Sequence, residues 1–336
     1  MFRNAKTIAL AVLLAALCSR PGLGQGSPTT ILRIVTENSV AYLGDISDVS
    51  RFATDPGIVN RGPSPRNFAK QVILADIVSV NGQPARGTLV FNIQQIILSP
   101  APNAGEAVAD ITRNGVIDQI VEILKTDGTP VGTIMALGLT MGSPPPGSPL
   151  ALIVANNAIV GGTGAFLGVR GQWGATTVRT PIRMSSMTED PANRRRNGGG
   201  RNEYVLHVIP MSRPEVVITP NGPAVSHSND FALVSTSRPA AAGEILSAFV
   251  TGLGPTVPGV DPGSPFPASP LAAVNSPVEV TVNGRPAEVL AAVGYPGTTD
   301  NYQVNFRVPT DTAKGTATVQ VSAAWIAGSE VRIAIQ

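Results

Sequence analysis

The stretch "AIVGGTGAFLGVRGQWG", residues 158–174, sets Gly161, Gly162, Gly164 and Gly168 behind a hydrophobic run. Glycines in such a place can cradle a phosphate, because a glycine-rich turn at a helix N-terminus aims backbone N–H groups at an anion. The spacing Gly162-x-Gly164-x-x-x-Gly168 misses the dinucleotide fingerprint, and no Lys-Ser/Thr pair follows as a P-loop requires. The next residues, "VRGQWGATTVRT", make a poor helix and a good strand: Gly171 and Gly174 disfavour the first, Thr176, Thr177 and Val178 favour the second. The glycines are therefore expected to shape backbone, and no nucleotide or other cofactor is assigned.

Other chemistry finds little to work with. The chain has two histidines, His207 and His227, in different halves. A Ser-His-Asp relay would have to use one of them, and no G-x-S-x-G elbow is present. His207 reads first as a histidine satisfied within the fold. Asp76, Asp110, Asp118 and Glu122 offer carboxylates for glycoside hydrolysis, yet no spacing singles out a pair. Asp45, Asp48 and Asp55 in "GDISDVSRFATD" lack the spacing of a calcium loop and read as turn formers. No catalytic or metal-binding residue is assigned. The candidates for touching a ligand are Tyr204 and His207 in "NEYVLHVIP", with Arg170 after the glycine run.

The elements that must position these residues are strands. Charged residues make up 14% and aromatics 4% of 336 residues, while Gly (35) and Pro (30) abound. Low charge with many turn formers predicts short strands joined by turns. A formal net charge of +2, without a basic helix, gives no reason to expect a nucleic-acid partner.

The N-terminal residues carry an address. Arg3 and Lys6 precede the apolar run Thr7–Leu17, and Gly22-Leu23-Gly24 supplies small residues before Gln25. That is the pattern of a secretory signal over 1–24, with an apolar run too short to span a bilayer. The sole cysteine, Cys18, lies inside it. Lipidation at Cys18 is the second reading, weakened because Leu17 is not small. Cleavage after Gly24 leaves a mature chain without cysteine, hence without a disulfide or thiolate site. A secreted, periplasmic or cell-surface location is expected, with no transmembrane helix.

Two β-rich halves follow, 27–212 and 214–336. The segment "GVIDQIVEILKTDG" is ambiguous, since Ile117, Val121 and Ile123 spoil a helical stripe; it is read as strand. "TEDPANRRRNGGGRN", residues 188–202, is expected as a mobile exposed loop, with Arg194, Arg195 and Arg196 as an alternative anion-binding group. In the second half, "VEVTVNGRPAEVLAAV" is a hairpin about Asn283-Gly284. "VNGQPA" (80–85) and "VNGRPA" (282–287) share that turn chemistry. The proline-dense run Gly254–Pro270 is expected to be an irregular loop across one end.

Two resemblances add to this. The second half, through "RPAAAGEILSAFVTGLGPT", "PVEVTVNGRPAEVLAAVGYPG" and "YQVNFRVPTDTAKGTATVQV", resembles an uncharacterised immunoglobulin-like C-terminal module of secreted acidobacterial proteins, similar in style to IPT/TIG domains. The first half resembles dirigent and allene oxide cyclase-like barrels. Gly161, Gly162, Thr163, Gly164, Phe166, Gly168, Arg170 and Gly171 carry that likeness. It implies an antiparallel eight-stranded barrel with an apolar pocket, commonly in oligomers. The expected architecture is thus all-β, a barrel followed by an immunoglobulin-like sandwich. The first functional reading is a non-enzymatic extracellular binding or surface-interaction protein, its barrel with room for a small apolar ligand. The alternatives are a coupling guide or isomerase of dirigent or cyclase type, and a structural or adhesive protein.

Overall fold

A computed structural model describes residues 30–45, 67–97, 115–140 and 155–336. Residues 1–24 with Cys18, and also Asp48, Asp55 and Asp110, lie outside the described residues. The first sheet runs through β1 (Thr30–Asp45), β2 (Asn67–Val80), the short β3 (Gln83–Pro84), β4 (Arg86–Ile97), β5 (Gly115–Leu124), β6 (Pro130–Thr140), β7 (Ala155–Gly164), β8 (Arg170–Thr180), β9 (Arg183–Ser186) and β10 (Gly200–Ile209). The order β2-β4-β5-β6-β7-β8-β10-β1 is antiparallel throughout, and β1 pairs back with β2. Eight strands therefore close a barrel, as the glycine motif implied. β9 runs parallel to β1 beside Val40–Leu43.

The ambiguous segment is β5. Its burial alternates strictly, with Ile117, Gln119, Val121 and Ile123 inside and Val116, Ile120 and Glu122 outside. A helical stripe failed because apolar residues sit on both faces of a strand.

The two rims differ. Short turns close one: Asn81-Gly82, residues 125–129 and residues 165–169. Residues 181–199, with β9 among them, join β8 to β10 at the other.

The glycine motif does structural work at the turn rim. Gly161–Gly164 ends β7, and Gly164 and Gly168 take φ of 61° and 71° through the turn to β8. A Cβ on Gly162 would stand 2.5 Å from the carbonyl oxygens of Phe166 and Thr133. Close backbone approach needs glycine there. The turn then folds Phe166 into the core, 1% exposed.

The second sheet holds β11 (Glu215–Val216), β14 (Val225–His227), β15 (Ile245–Thr251), β16 (Thr256–Val257), β17 (Ala273–Val274), β18 (Val278–Val282), β19 (Arg285–Gly294), β20 (Tyr302–Arg307), β21 (Gly315–Ala323), β22 (Ile326–Ala327) and β23 (Val331–Ile335). β12 (Ile218–Thr219) and β13 (Gly222–Pro223) make a separate ribbon. β19 pairs β18 through Arg285–Ala287 and β20 through Glu288–Gly294, with a bulge between Val289 and Ala291. The bulge turns one strand from layer to layer, so the sheet curls over its own core. The proline-dense run contributes β16 and otherwise stays irregular, with Phe266 buried 5.0 Å from the Tyr302 ring.

The shared Asn-Gly turns match in detail. Asn81 and Asn283 have φ of 49° and 51°, the positive values that a two-residue hairpin turn requires. Each asparagine also stitches a third strand. Asn81 N donates to Arg33 O and its Oδ1 accepts from Arg33 N; Asn283 does the same with Thr318.

A third such turn joins the sheets. Ala324 and Trp325 link β21 to β22 with φ of 49° and 61°. With Ile326 they belong to the barrel's buried cluster rather than to the core of their own sheet. Trp325 Nε1 donates to Gln83 Oε1 at 2.8 Å, and Gln83 Nε2 donates to Glu279. Asn275 Nδ2 donates to the Pro130 carbonyl at 2.6 Å. The hairpin tip thus closes the turn rim.

Candidate functional site

The barrel interior is the natural place for a ligand, and its composition sets what it can do. At mid-height Phe91, Trp173 and Tyr204 meet edge to face, with centroids 5.5–5.7 Å apart. This is the preferred geometry of packed rings. Below them lie aliphatic side chains such as Leu32, Leu89, Ile123 and Leu206, each fully buried. Toward the opposite rim the lining turns polar: Asn157 Nδ2 donates to Gln119 Oε1 at 2.5 Å, and Asn202 is 0% exposed. Asn157 Oδ1 and both polar atoms of Asn202 have no partner among the described residues. None of these interior residues is ionisable at neutral pH. Asp76, Asp118 and Glu122 all lie outside the barrel's buried cluster.

The three ligand candidates do not converge. Tyr204 lies inside, where burial pushes its phenol above the ordinary tyrosine value. His207 belongs to the opposite face of the same strand and is exposed, its ring packed over Gly174. The period of two puts Tyr204, Leu206 and Val208 in and His207 out, on the outer wall of the barrel. Arg170 is exposed at the turn rim and donates to the Val169 carbonyl at 2.9 Å, so it is a rim charge. His227, in the second sheet, has both ring nitrogens engaged: Nδ1 lies 2.5 Å from Glu244 Oε1 and Nε2 3.3 Å from the Arg238 carbonyl. Neither nitrogen faces a hydroxyl.

The outer wall has two sides. On β8, β10 and β1, Glu203 takes Arg33 and Arg179, while Arg201 pairs with Glu37. On β5, β6 and β7, Val116, Ile120, Met135, Leu137 and Val160 are exposed, Val116 by 56% and Leu137 by 48%. Ile120 sits opposite Met135 and Leu137 opposite Ala158, while Asp118, between Val116 and Ile120 and opposite Leu137, interrupts the patch on β5.

The arginine segment is docked on the wall. A 3-10 turn, Pro191–Asn193, leads into one helical turn, α1 (Arg194–Asn197). Exposure holds for Arg195 and Arg196, but Arg194 is buried. Arg194 and Arg195 converge on Asp76, with Arg195 donating through Nε (2.9 Å) and an NH2 group (2.8 Å). Asn38, at a bulge in β1, adds a bond of 3.0 Å. Burial alone would raise the Asp76 carboxyl, but these donors outweigh it and hold it below its ordinary value.

No family model matches the chain. No curated protein matches it either. Among solved structures, the N-terminal domain of the adhesin Sgo0707 of Streptococcus gordonii aligns over 91% of this chain and 92% of that one, at 9% identity and a TM-score of 0.17. A score that low carries no argument about fold or function.

The ion pairs predict an acid response. Arg183 holds Glu189 bidentately at 2.7 and 2.9 Å, Ser185 adds a third bond, and the carboxyl is pulled down to about 2. A carboxylate depressed by folding stabilises the folded form above its unfolded pKa, roughly 4.3, and loses that contribution as pH falls toward its folded value. Amide protection over residues 183–197, corrected for intrinsic exchange, is expected to hold from pH 7 to 5 and to fall between 4 and 2. Arg183→Gln should reduce the pH dependence in that segment, leaving the part carried by Asp76 through Arg194 and Arg195. Protection that stays flat to pH 2 in the parent protein would remove the ion pair from the account.

Nothing in the sequence signals the Trp325 joint, because Ala324-Trp325 carries none of the usual turn residues. Nor did it pair Arg194 with Asp76, which are far apart in the chain and touch only through the β1–β2 wall.

Proposed function

We propose that the chain is a secreted, non-enzymatic binding or surface-interaction protein. One observation carries the reading. Below its polar end, the described barrel interior is occupied by the protein's own aliphatic and aromatic side chains, while exposed apolar residues gather outside on β5–β7. Exposed apolar patches of this kind mark interaction surfaces. A homo-oligomer formed through the barrel would use that face. The likeness of the first half to dirigent and allene oxide cyclase-like barrels, and of the second to IPT/TIG-style modules, is part of this proposal, as is the extracellular address in residues 1–24. The packing of Phe91, Trp173 and Tyr204 against one another at mid-height supports this reading over a ligand held there.

The test is expression of the full chain in a bacterial host, followed by fractionation and native mass spectrometry of the product. The expected product is outside the cytoplasm, cleaved near Gly24, and free of a small-molecule adduct. An uncleaved cytoplasmic chain overturns the extracellular reading. A stoichiometric small-molecule adduct shifts the function to the barrel interior.

A further inference from the structure

The second sheet displays three aromatic rings on one outer surface. Phe231 is 55% exposed and Tyr295 39% exposed, with Phe249 half-buried between them. The Phe231 and Phe249 centroids are 6.5 Å apart at 47°, and those of Phe249 and Tyr295 are 5.3 Å apart at 83°. Aromatics are 4% of the chain, so this grouping is not a by-product of composition.

Phe231 is held there against its backbone preference. Its φ is 57°, in a tight turn where its N–H donates to the His227 carbonyl at 2.9 Å. Asp230 fixes the turn by accepting from Ala232 N and from Arg238. That conformation suits Gly, Asn or Asp and costs a bulky residue. A large apolar side chain kept strained and exposed points to a role outside the fold.

The ground beside the rings is polar and neutral. Gln303 is the cross-strand partner of Phe249. Gln303, Asn305 and Ser228 are part-exposed: Gln303 Nε2 donates to Asn305 Oδ1 at 2.9 Å, while the fully buried Ser247 Oγ donates to the same oxygen at 2.9 Å and lies 2.8 Å from Ser228 Oγ. The nearby charges are committed: Asp230 to Arg238, Glu244 to His227, and Asp300 to the N–H of Gly252. Arg238, the cation beside Phe231, is paired, and a nucleic acid would need several free cations.

From this we infer that the Phe231–Phe249–Tyr295 surface binds a neutral polysaccharide chain. Sugar rings offer C–H faces to aromatic rings and hydroxyls to neutral amides and hydroxyls, and this surface supplies both. The rings share no common plane, so they fit a single soluble chain and not the flat face of a crystalline polymer. The assignment rests on the surface-interaction reading above and names its ligand class.

Affinity gel electrophoresis of the mature protein in gels containing hydroxyethyl cellulose, laminarin, dextran or alginate tests it. At least one neutral polysaccharide should slow the protein, and alginate should not. Tyr295→Ala should weaken binding by about tenfold, as expected for loss of one ring contact. Phe231→Gly should weaken binding comparably while its melting temperature stays equal or rises, because glycine relieves the turn. That split separates a ligand contact from a structural residue. Retardation by none of the neutral polymers, retardation by alginate alone, or variants that migrate like the parent would each overturn the inference. A secreted protein that no polysaccharide slows loses only this ligand class; a chain retained in the cytoplasm loses the wider reading whatever the gels show.

Discussion

Trp325→Ala is expected to destabilise the barrel, although Trp325 belongs to the second sheet. The indole is 9% exposed and packs in the barrel's cluster with Ala324 and Ile326. Truncating a buried tryptophan costs about 3–5 kcal/mol. The turn that presents it stores strain, since two non-glycine residues at positive φ cost about 1–2 kcal/mol each. Packing against the turn rim must exceed that strain for the hairpin to persist. The chain has two tryptophans, so the variant leaves Trp173 alone, at the centre of the barrel. Its fluorescence then reports barrel unfolding directly. The denaturant midpoint followed through Trp173 should fall in Trp325→Ala. Ala324→Gly, which relieves strain without touching the indole, should leave the midpoint equal or higher. If the Trp173 transition does not move in Trp325→Ala, the sheets are energetically independent and the shared cluster is only contact.

This joint also marks where sequence reading runs out. Periodicity identified β5 despite its helical overtones, because alternation survives apolar residues on both faces. Asn81-Gly82 and Asn283-Gly284 announced their hairpins, because positive φ at two adjacent positions selects those residues. Ala324-Trp325 makes the same kind of turn with neither. Its conformation is imposed by what it packs against, which no local pattern records. The candidate site follows the same division. That Tyr204 and His207 share a strand was legible, but which of them faces in depends on register around the closed barrel. Arg194 looked solvated because its neighbours are polar, yet its partner Asp76 comes from β2. The aromatic surface was hidden for the same reason: Phe231, Phe249 and Tyr295 come from three separate segments.

The glycine motif supports the other large effect. Gly171→Ala is expected to destabilise the barrel by about 2–5 kcal/mol, combining positive-φ strain with a steric clash that has little room to relax. Gly171 has a φ of 146° and is the cross-strand partner of Val208, beside His207. A Cβ there would fall against the backbone carbonyl of His207, well inside van der Waals contact. Backbone cannot swing aside as a side chain can, so β8 and β10 would have to separate. The same strand holds the lower seam of the barrel, since Gly171 also pairs with Ile159 of β7. Gly128→Ala is the matched control. Its φ is 90°, but nothing lies within 4 Å of a Cβ at that position. It should cost only the conformational strain, about 1 kcal/mol. Urea unfolding of the two variants separates the terms. Equal losses would mean that strain alone accounts for Gly171, and that the motif sets turn conformation without setting the distance between strands. A larger loss at Gly171 means that the glycines fix how closely β8 approaches its neighbours, and hence the radius of the barrel at the rim that Trp325 fills.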